Sequence, residues 1–226
     1  MKWLFAVGLL VSLPVAVIAQ HRPLPEFTQE GGRTIVPLEF APRQSLFVLF
    51  RKPADLQGGR NFPSWQTIQT IATPWKVTFD PRRGGPESVV FDKLEDWTKR
   101  PEPGIKHYSG TATYRNAFDL PAKAPGGRIS LDLGAVTSLA QVRFNGKDLG
   151  VVWCQPWSVD ITSAVKEKNN ELEIEVVNTW INRLLADEKL PPEQRVTYVA
   201  SKAIRAQKPL SAGLLGPVSI KVEKNK

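Results

Sequence analysis

Cysteine is almost absent from this chain of 226 residues, in which Cys154 is the single example. One cysteine excludes an intrachain disulfide, so the packed core alone has to stabilise the fold. Histidine is nearly as rare, with His21 and His107 as the two examples. A cysteine nucleophile needs a histidine partner, and a single thiol beside Trp153 is more typical of a small buried apolar residue.

Motifs that would indicate cofactor chemistry are also missing. The sequence holds no glycine-rich phosphate loop, no dinucleotide fingerprint, no Ser/His/Asp arrangement and no cluster of His and Cys at metal-ligand spacing. An acidic calcium loop of the DxDxDG type is absent too. A structural Ca²⁺ held by loop carbonyls would leave no such pattern, so the sequence leaves that ion open, and we otherwise expect no cofactor.

Positive charge is in excess, with a formal net charge of +8. Lys and Arg are nevertheless scattered, and the densest spots are Arg82-Arg83 and the tail KVEKNK. Because no helix carries a basic stripe, we expect no nucleic-acid partner. The charge predicts a solvated basic surface to which an anionic polysaccharide would be attracted.

Long apolar runs are missing except at the start of the chain. There Lys2 precedes an apolar run, Trp3–Ala19, that ends in Val-Ile-Ala. This pattern predicts a secretory signal peptide cleaved near Ala19–Gln20. The run is short of the roughly 20 residues that a membrane-spanning helix needs. We therefore expect a secreted or periplasmic protein with no membrane attachment after cleavage.

Turn residues and aromatic residues are abundant, with 19 Pro, 16 Gly and 7 Trp, which favours an all-β fold. In NELEIEVVN, Leu172, Ile174 and Val176 alternate with glutamates, so the apolar side chains should face a core. Asn145-Gly146 between LAQVRF and KDLGVVW indicates a hairpin, because a type I′ turn requires φ > 0 at both central positions. About eight such strands after residue 74 predict a jelly-roll β-sandwich.

Shorter segments precede this sandwich. Ile35–Phe40 and Ser45–Arg51 have strand character and predict a β-hairpin, which would be marginal without another surface to pack on. VNTWINRLLADEKL breaks the strand pattern and is typical of one or two helical turns. The predicted divisions are a signal peptide at 1–19, a linker at 20–34, the hairpin at 35–52, a linker at 53–73 and the sandwich at 74–226.

Several motifs occur in a distinctive order. YSGTATYRNAFDL, ISLDLGAVTSLAQVRFNGKDLGVVW and NNELEIEVVN resemble the galactose-binding-like jelly-roll domain of glycoside hydrolases, including family 2. WKVTFDPRRGGPESVVFDKLEDW, NTWINRLLADE and LSAGLLGPVSI resemble, more narrowly, the C-terminal end of α-L-rhamnosidase-like enzymes of glycoside hydrolase family 106. The resemblance covers about residues 35–223.

This resemblance implies a sugar-binding fold rather than a catalytic one. Family 106 enzymes carry a long catalytic barrel region before this domain, and the catalytic carboxylates belong to that region, so no catalytic residue is assigned to this chain. The segment 35–52 is similar to the closing strands of the β-domain that precedes the jelly roll. Galactose-binding-like domains sometimes hold a structural Ca²⁺.

The stretch HYSGTATYRNAFDL is the first candidate site. Strand alternation places Ala112, Tyr114 and Asn116 on one face, opposite the intervening residues. Tyr108 and His107 would then lie at the mouth of the strand, where a sugar ring could stack on the tyrosine. The alternative is that the tyrosines are half-buried strand aromatics. His107 has no evident acid partner, so a general-base role is not expected.

Two further stretches combine aromatic and polar residues. Trp153 and Trp157 flank a loop and could form a platform for the apolar face of a pyranose, or they could pack in the core or at a domain interface. NTWINRLLADE groups Trp180 with a set of polar residues suited to sugar hydroxyls or a carboxylate. This cluster could equally form an internal network or an interface to a catalytic domain. Its polar candidates are Asn182, Arg183 and Asp187.

Paired carboxylates are the usual requirement for glycoside hydrolysis. Glu95-Asp96 and Asp187-Glu188 are adjacent in sequence, so their side chains diverge. Neither pair therefore predicts a catalytic site.

We interpret the chain as an exported, non-catalytic carbohydrate-binding or accessory module that acts in polysaccharide breakdown. Its expected partners are a rhamnose-containing or anionic polysaccharide and a glycoside hydrolase. The alternatives are a small α-L-rhamnosidase-like hydrolase acting on O-glycosyl bonds, and a truncated remnant that serves only as an interaction domain. The predicted carbohydrate-binding residues are Tyr108, Trp153, Trp157, Trp180, Asn182, Arg183 and Asp187.

Overall fold

The computed structural model describes residues 24–40, 44–50, 60–121, 127–198, 204 and 207–224. The predicted signal peptide at 1–19 lies outside these residues and stays a prediction. Within the described ranges, no helix is long and apolar enough to cross a membrane.

Strands dominate the described part of the chain, with short helices between them. In chain order the strands are β1 (Thr28–Glu30), β2 (Arg33–Ile35), β3 (Trp65–Thr70), β4 (Trp75–Thr78), β5 (Val89–Phe91), β6 (Thr111–Phe118), β7 (Ile129–Asp132), β8 (Ala135–Val136), β9 (Leu139–Phe144), β10 (Lys147–Val152), β11 (Ser158–Asp160), β12 (Asn170–Val177), β13 (Leu214–Gly216) and β14 (Ser219–Glu223). The α-helices are α1 (Pro103–Lys106) and α2 (Ile181–Asp187), and 3-10 turns cover Pro81–Arg83, Trp97–Lys99 and Pro192–Gln194.

Two antiparallel sheets form the body of the fold. One has the strand order β10-β9-β12-β6-β4-β5, and the other has the order β11-β7-β14-β3. Small pairs β13-β8 and β1-β2 complete the described sheets. The predicted all-β sandwich of the galactose-binding-like kind is confirmed.

Alternation along the strands separates core from surface. Leu172, Ile174 and Val176 of β12 are buried, as predicted, and each fully buried side chain of this size contributes about 1.5–3 kcal/mol. The glutamates between them face outward, where Glu173 forms ion pairs with Arg115 at 2.7 Å and with Arg143 at 3.0 Å. The outer face of the larger sheet is thus a charged, solvated surface.

Aromatic residues fill the centre of the core. The Tyr114 ring makes edge contacts with Trp75 and Phe91, at centroid distances of 6.4 and 6.0 Å. Its hydroxyl accepts hydrogen bonds from Trp97 Nε1 and, at 3.4 Å, from the Leu214 backbone N–H. Burial, the largest influence, raises the pKa of Tyr114 well above its usual range, so the hydroxyl stays protonated.

The Asn145-Gly146 turn between β9 and β10 forms as predicted. Both residues have positive φ, 51° and 78°, which is the backbone shape that a two-residue type I′ turn requires.

The predicted hairpin at 35–52 is wrong, and a shorter hairpin lies upstream of it. There β1 pairs with β2 around Gly31-Gly32, whose φ values of 56° and 73° suit a tight turn. Residues 36–40 and 44–50 carry no strand, while 41–43 and 51–52 lie outside the described residues. The predicted linker at 20–34 therefore contains β1 and most of β2.

The predicted linker at 53–73 also contains a strand. β3 pairs antiparallel with β14 at the edge of the smaller sheet, so the sandwich begins at Trp65 rather than at Pro74. An edge strand exposes much of its surface, and WQTIQT is accordingly too polar to show a clear apolar alternation.

Replacing Tyr114→Phe should lower the free energy of unfolding by about 1–3 kcal/mol, because two buried N–H donors lose their acceptor. Denaturant unfolding monitored by tryptophan fluorescence measures this change. Tyr198→Phe, which alters an exposed ring, is the matched control and should leave stability unchanged. Equal stability of both variants would contradict the role of this hydroxyl.

Candidate functional site

An open cleft of about 420 Å³ lies at one end of the strands of the larger sheet. There β4 and β12 end and β6 begins, because Thr111 of β6 pairs with Val177 of β12 while Thr113 pairs with Thr78 of β4. The residues lining the cleft are Asp80, Arg83, Tyr108, Ser109, Gly110, Thr111, Val177, Asn178 and Trp180.

The floor of the cleft is held by hydrogen bonds around Tyr108. Its hydroxyl accepts from the Asp80 backbone N–H and donates to the Thr111 carbonyl, both at 3.0 Å. The Asn178 amide donates to the Tyr108 carbonyl at 2.9 Å, and its backbone N–H donates to the Gly110 carbonyl at 3.0 Å. These bonds join the three strand ends into one rigid base.

Gly110 is a position at which the backbone packs too closely on its neighbours for a side chain. Its φ is 152°, and a Cβ there would lie 2.9 Å from both Arg83 Cδ and the Tyr108 hydroxyl. Glycine therefore allows the backbone to pass close to Arg83 and Tyr108 in the floor of the cleft.

Arg83 and Trp180 are neighbours in the wall of the cleft. The Arg83 guanidinium lies 5.9 Å from the centroid of the Trp180 ring, within the range of a cation–π contact. Trp180 is 55% exposed, so much of its ring faces solvent. The Arg183 guanidinium donates to the Arg83 carbonyl at 3.0 Å, which fixes the turn that carries Arg83.

Asp80 is the carboxylate among the lining residues, and it is already paired. It accepts hydrogen bonds at 3.0 Å from the backbone N–H, Nε and Nη2 of Arg82. The side-chain bond from Arg82 is the largest influence on the carboxyl, and the pKa of Asp80 is lowered. Asp80 is therefore a fixed anion and a cap for the following turn.

The structure brings Tyr108 and Trp180 of the predicted set together in this cleft. The Tyr108 ring is buried, however, and contacts Phe79 and Trp97 edge-on. The expectation that a sugar stacks on Tyr108 is thus corrected, because its hydroxyl and carbonyl bond within the floor instead. The alternative, in which the tyrosines are half-buried strand aromatics, describes Tyr108 better, although its ring is fully buried.

Trp153 and Trp157 lie in different environments. Trp153 follows β10 and is 66% exposed, whereas Trp157 is partly buried and packs against the core. Trp157 therefore follows the core-packing alternative. Val152 pairs with Ala140, and Ala140 pairs with Val176. Trp153 therefore lies at the same end of the sheet as the cleft, but two strands away from β12.

Asn182 and Asp187 are buried and belong to an internal network, which was the stated alternative, so their predicted role in carbohydrate binding is corrected. Asn182 bonds the backbone N–H and carbonyl of Leu210 at 2.8 and 2.7 Å. Asp187 accepts from the backbone N–H of Val196 and from Thr197 at 2.6–3.1 Å. Arg183 lies 3.6 Å from Asp187 and reaches the cleft only through its bond to the Arg83 carbonyl.

Sequence reasoning missed Asp80, Arg83, Ser109 and Gly110 as parts of this site. Arg82-Arg83 stood out only as a charge pair, and the polar opening of β6 was noted without its neighbours. The signal that could have found them is the strand pairing, which brings DPRRGG next to HYSG.

A second cleft of about 390 Å³ contains the Glu95-Asp96 pair. Glu95 forms an ion pair with Arg100 at 2.9 Å. Burial by itself would raise the pKa of Asp96, but hydrogen bonds from Ser211, Thr98 and the Ala212 backbone outweigh it, and the pKa is lowered. Both carboxylates therefore serve the structure around the Trp97–Lys99 turn.

In the described ranges, no group of three or more His, Cys, Asp or Glu could hold a metal ion. Ca²⁺ bound through loop carbonyls stays a prediction.

Comparisons with known proteins give a consistent picture. The family described as "Glycosyl hydrolase 2 galactose-binding domain-like" matches residues 96–211. A solved rhamnosidase from Novosphingobium sp. PP1Y is similar over 87% of this chain and 19% of its own, with 40% sequence identity and a TM-score of 0.76. A relative from Formosa agariphila named "Putative beta-glucuronidase" is 31% identical over 258 residues, 86% of this chain and 22% of the relative.

More distantly, a beta-glucuronidase from Ruminococcus gnavus is similar over 49% of this chain and 20% of its own, with 23% identity and a TM-score of 0.42. The chain thus spans about a fifth of the length of the relatives that it matches.

His107 follows α1 and is partly buried. Its pKa is lowered from 6.5, first by burial and then by the positive charges of Lys106, Arg183 and Lys189, which outweigh Asp187. The folded protein therefore favours the neutral form of the His107 imidazole.

Stability should fall as the pH drops through about 6.5, because the unfolded chain then binds the His107 proton more readily than the folded protein does. His107→Gln should reduce the difference in melting temperature between pH 7.5 and pH 5.5. Differential scanning calorimetry of both proteins measures it. An unchanged pH dependence in the variant would contradict this assignment.

Proposed function

The chain belongs to the glycosyl hydrolase 2 galactose-binding domain-like family, and we propose that it serves as a non-catalytic carbohydrate-binding or accessory module in polysaccharide breakdown. The names of the glycoside hydrolases that it resembles support this role. We further propose the narrower assignment to the rhamnosidase-like family 106, which rests on the motif order and on the 40% identity to the Novosphingobium rhamnosidase. The signal-peptide pattern supports a secreted or periplasmic location.

The cleft beside Trp180 is the observation that carries this proposal. An exposed indole face can stack on the apolar C–H face of a pyranose, and neighbouring polar groups fix its orientation. The rim supplies such a group in Thr111, which is exposed. The rigid floor around Tyr108 limits the loss of side-chain entropy on binding.

A binding role also fits the single carboxylate of the cleft. Glycoside hydrolysis normally uses two carboxyl groups that face one sugar. Asp80 is the one carboxylate among the residues that line the cleft, and Arg82 holds it. The expected ligands are rhamnose-containing or anionic polysaccharides.

Trp180→Ala should weaken glycan binding about tenfold, because the stacking face is lost. A glycan array followed by isothermal titration calorimetry measures this, with rhamnose-containing and anionic polysaccharides as probes. Trp153→Ala, at an exposed tryptophan outside the cleft, is the matched control and should bind normally. Loss of binding in Trp153→Ala alone would move the site to that loop, and a blank array with folded protein would overturn the proposal.

A second candidate function, an interaction domain for a glycoside hydrolase partner, is favoured by one segment. Residues 44–50 expose Phe47 (93%), Leu49 and Phe50 in an uncharged run. Contiguous exposed apolar surface is typical of a protein–protein contact. The relatives are about five times longer, so they contain further protein surface that could cover such a run.

Phe47→Ser combined with Phe50→Ser should remove most of this exposed apolar surface while leaving the sandwich folded. We expect the wild-type protein without a partner to self-associate weakly and the double variant to be monomeric in sedimentation velocity. Circular dichroism checks that both are folded. A wild-type protein that stays monomeric at all concentrations would count against the interaction role.

A further inference from the structure

We propose that the cleft selects an acidic sugar, a pyranose whose carboxylate is bound by Arg83 while its ring lies against Trp180. This inference rests on the proposed carbohydrate-binding function and names the class of ligand. It comes from Arg83, whose guanidinium lies at the cleft, is about half exposed and donates no hydrogen bond to any of the described residues.

The Arg83 guanidinium is available for a ligand. Among the described residues, none accepts a hydrogen bond from it, and the nearest carboxylate oxygen, Asp80 Oδ2, lies 3.9 Å from its Nε. Both Asp80 oxygens already accept from Arg82 at 3.0 Å. The Arg83 side chain is 49% exposed, so its planar set of N–H donors can meet a carboxylate in a bidentate pair.

The turn that carries Arg83 is held in place before any ligand arrives. Its carbonyl accepts from the Arg183 guanidinium at 3.0 Å, and Asp80 and Gly84 cap the Pro81–Arg83 turn. At Gly110 the backbone approaches so closely that a Cβ would lie 2.9 Å from Arg83 Cδ. The backbone that carries Arg83 is therefore fixed before a ligand arrives, so binding does not have to order this turn.

Charge around the cleft favours an anion. The negative charge of Asp80 is paired with Arg82, and that of Asp187 lies 3.6 Å from Arg183. Asp80 thus faces two positive charges, Arg82 at 3.0 Å and Arg83 at 3.9 Å, so this group of three carries a net positive charge. The whole chain carries +8. A sugar carboxylate would gain this attraction, whereas a neutral sugar would gain only the stacking on Trp180.

The proximity of the two groups suits a uronic acid. The guanidinium lies 5.9 Å from the centroid of the Trp180 ring, so the charged group and the indole border the same space. A single residue can thus contact both, with the indole face taking the C–H surface and Arg83 taking the acid group.

The test uses oligogalacturonic and oligoglucuronic acids together with their methyl esters, which keep the ring and lose the charge. The wild-type protein should bind an acid at least about tenfold more tightly than its ester. Arg83→Gln should abolish this preference, so that the ratio of acid to ester affinity falls to about one. Arg83→Lys should retain part of it, because the charge remains while the bidentate geometry is lost.

Arg115→Gln is the matched control. Its side chain is also 49% exposed, and it lies on the outer face of β6 away from the cleft, so the same charge change should leave acid binding intact. Circular dichroism and thermal melting establish that each variant is folded.

The results of these measurements distinguish a preference for acidic sugars from carbohydrate binding in general, on which the preference depends. Equal binding of acids and esters, with loss in Trp180→Ala, would leave the binding module in place and overturn the acidic ligand. Tighter binding of a sulfated galactan than of either acid would also overturn it. Absence of binding to every glycan would overturn both.

Discussion

The antiparallel ladder between β6 and β12 is the constraint on which the rest of the structure depends. It pairs eight residues of each strand, from Thr111 with Val177 to Phe118 with Asn170. β4 and β9 add to its two sides, so the register of this ladder sets that of the sheet. It also decides which strand ends meet, and therefore that Gly110 lies beside Asn178 at the floor of the cleft.

The core of the sandwich and the rim of the cleft are built from different parts of the chain. The inward side chains of the ladder pack with the Tyr114 and Trp97 cluster, where every polar group needs a partner because water is excluded. The rim is made instead from turns beyond the strand ends, which carry Arg83 and Trp180. α2 joins these turns to the body through Arg183. Such a division lets a stable scaffold present loops of variable chemistry.

Local patterns predicted the parts of the fold that depend on near neighbours. The glutamate alternation of β12 and the Asn145-Gly146 turn both formed as expected, because alternation and positive φ are properties of consecutive residues. β3 was missed because an edge strand needs few apolar side chains. Residues 36–40 were wrongly assigned to a strand, because strand character without a partner strand does not make a sheet. For Asn182 and Asp187 the choice between sugar binding and an internal network stayed open, because sequence does not show which polar residues are satisfied internally.

By itself, the sequence determined the fold class and the side of each main strand that faces the core, because side-chain periodicity and hydrophobic burial act over a few residues. The tertiary structure alone decided the site. Arg83 and Arg183 are separated by 100 positions and meet through one hydrogen bond. Contacts of this range follow from strand register and sheet packing, which leave no local pattern. Arg83, part of a basic pair in the sequence, and Trp180, part of a polar segment, therefore line one cleft once the sheet has formed.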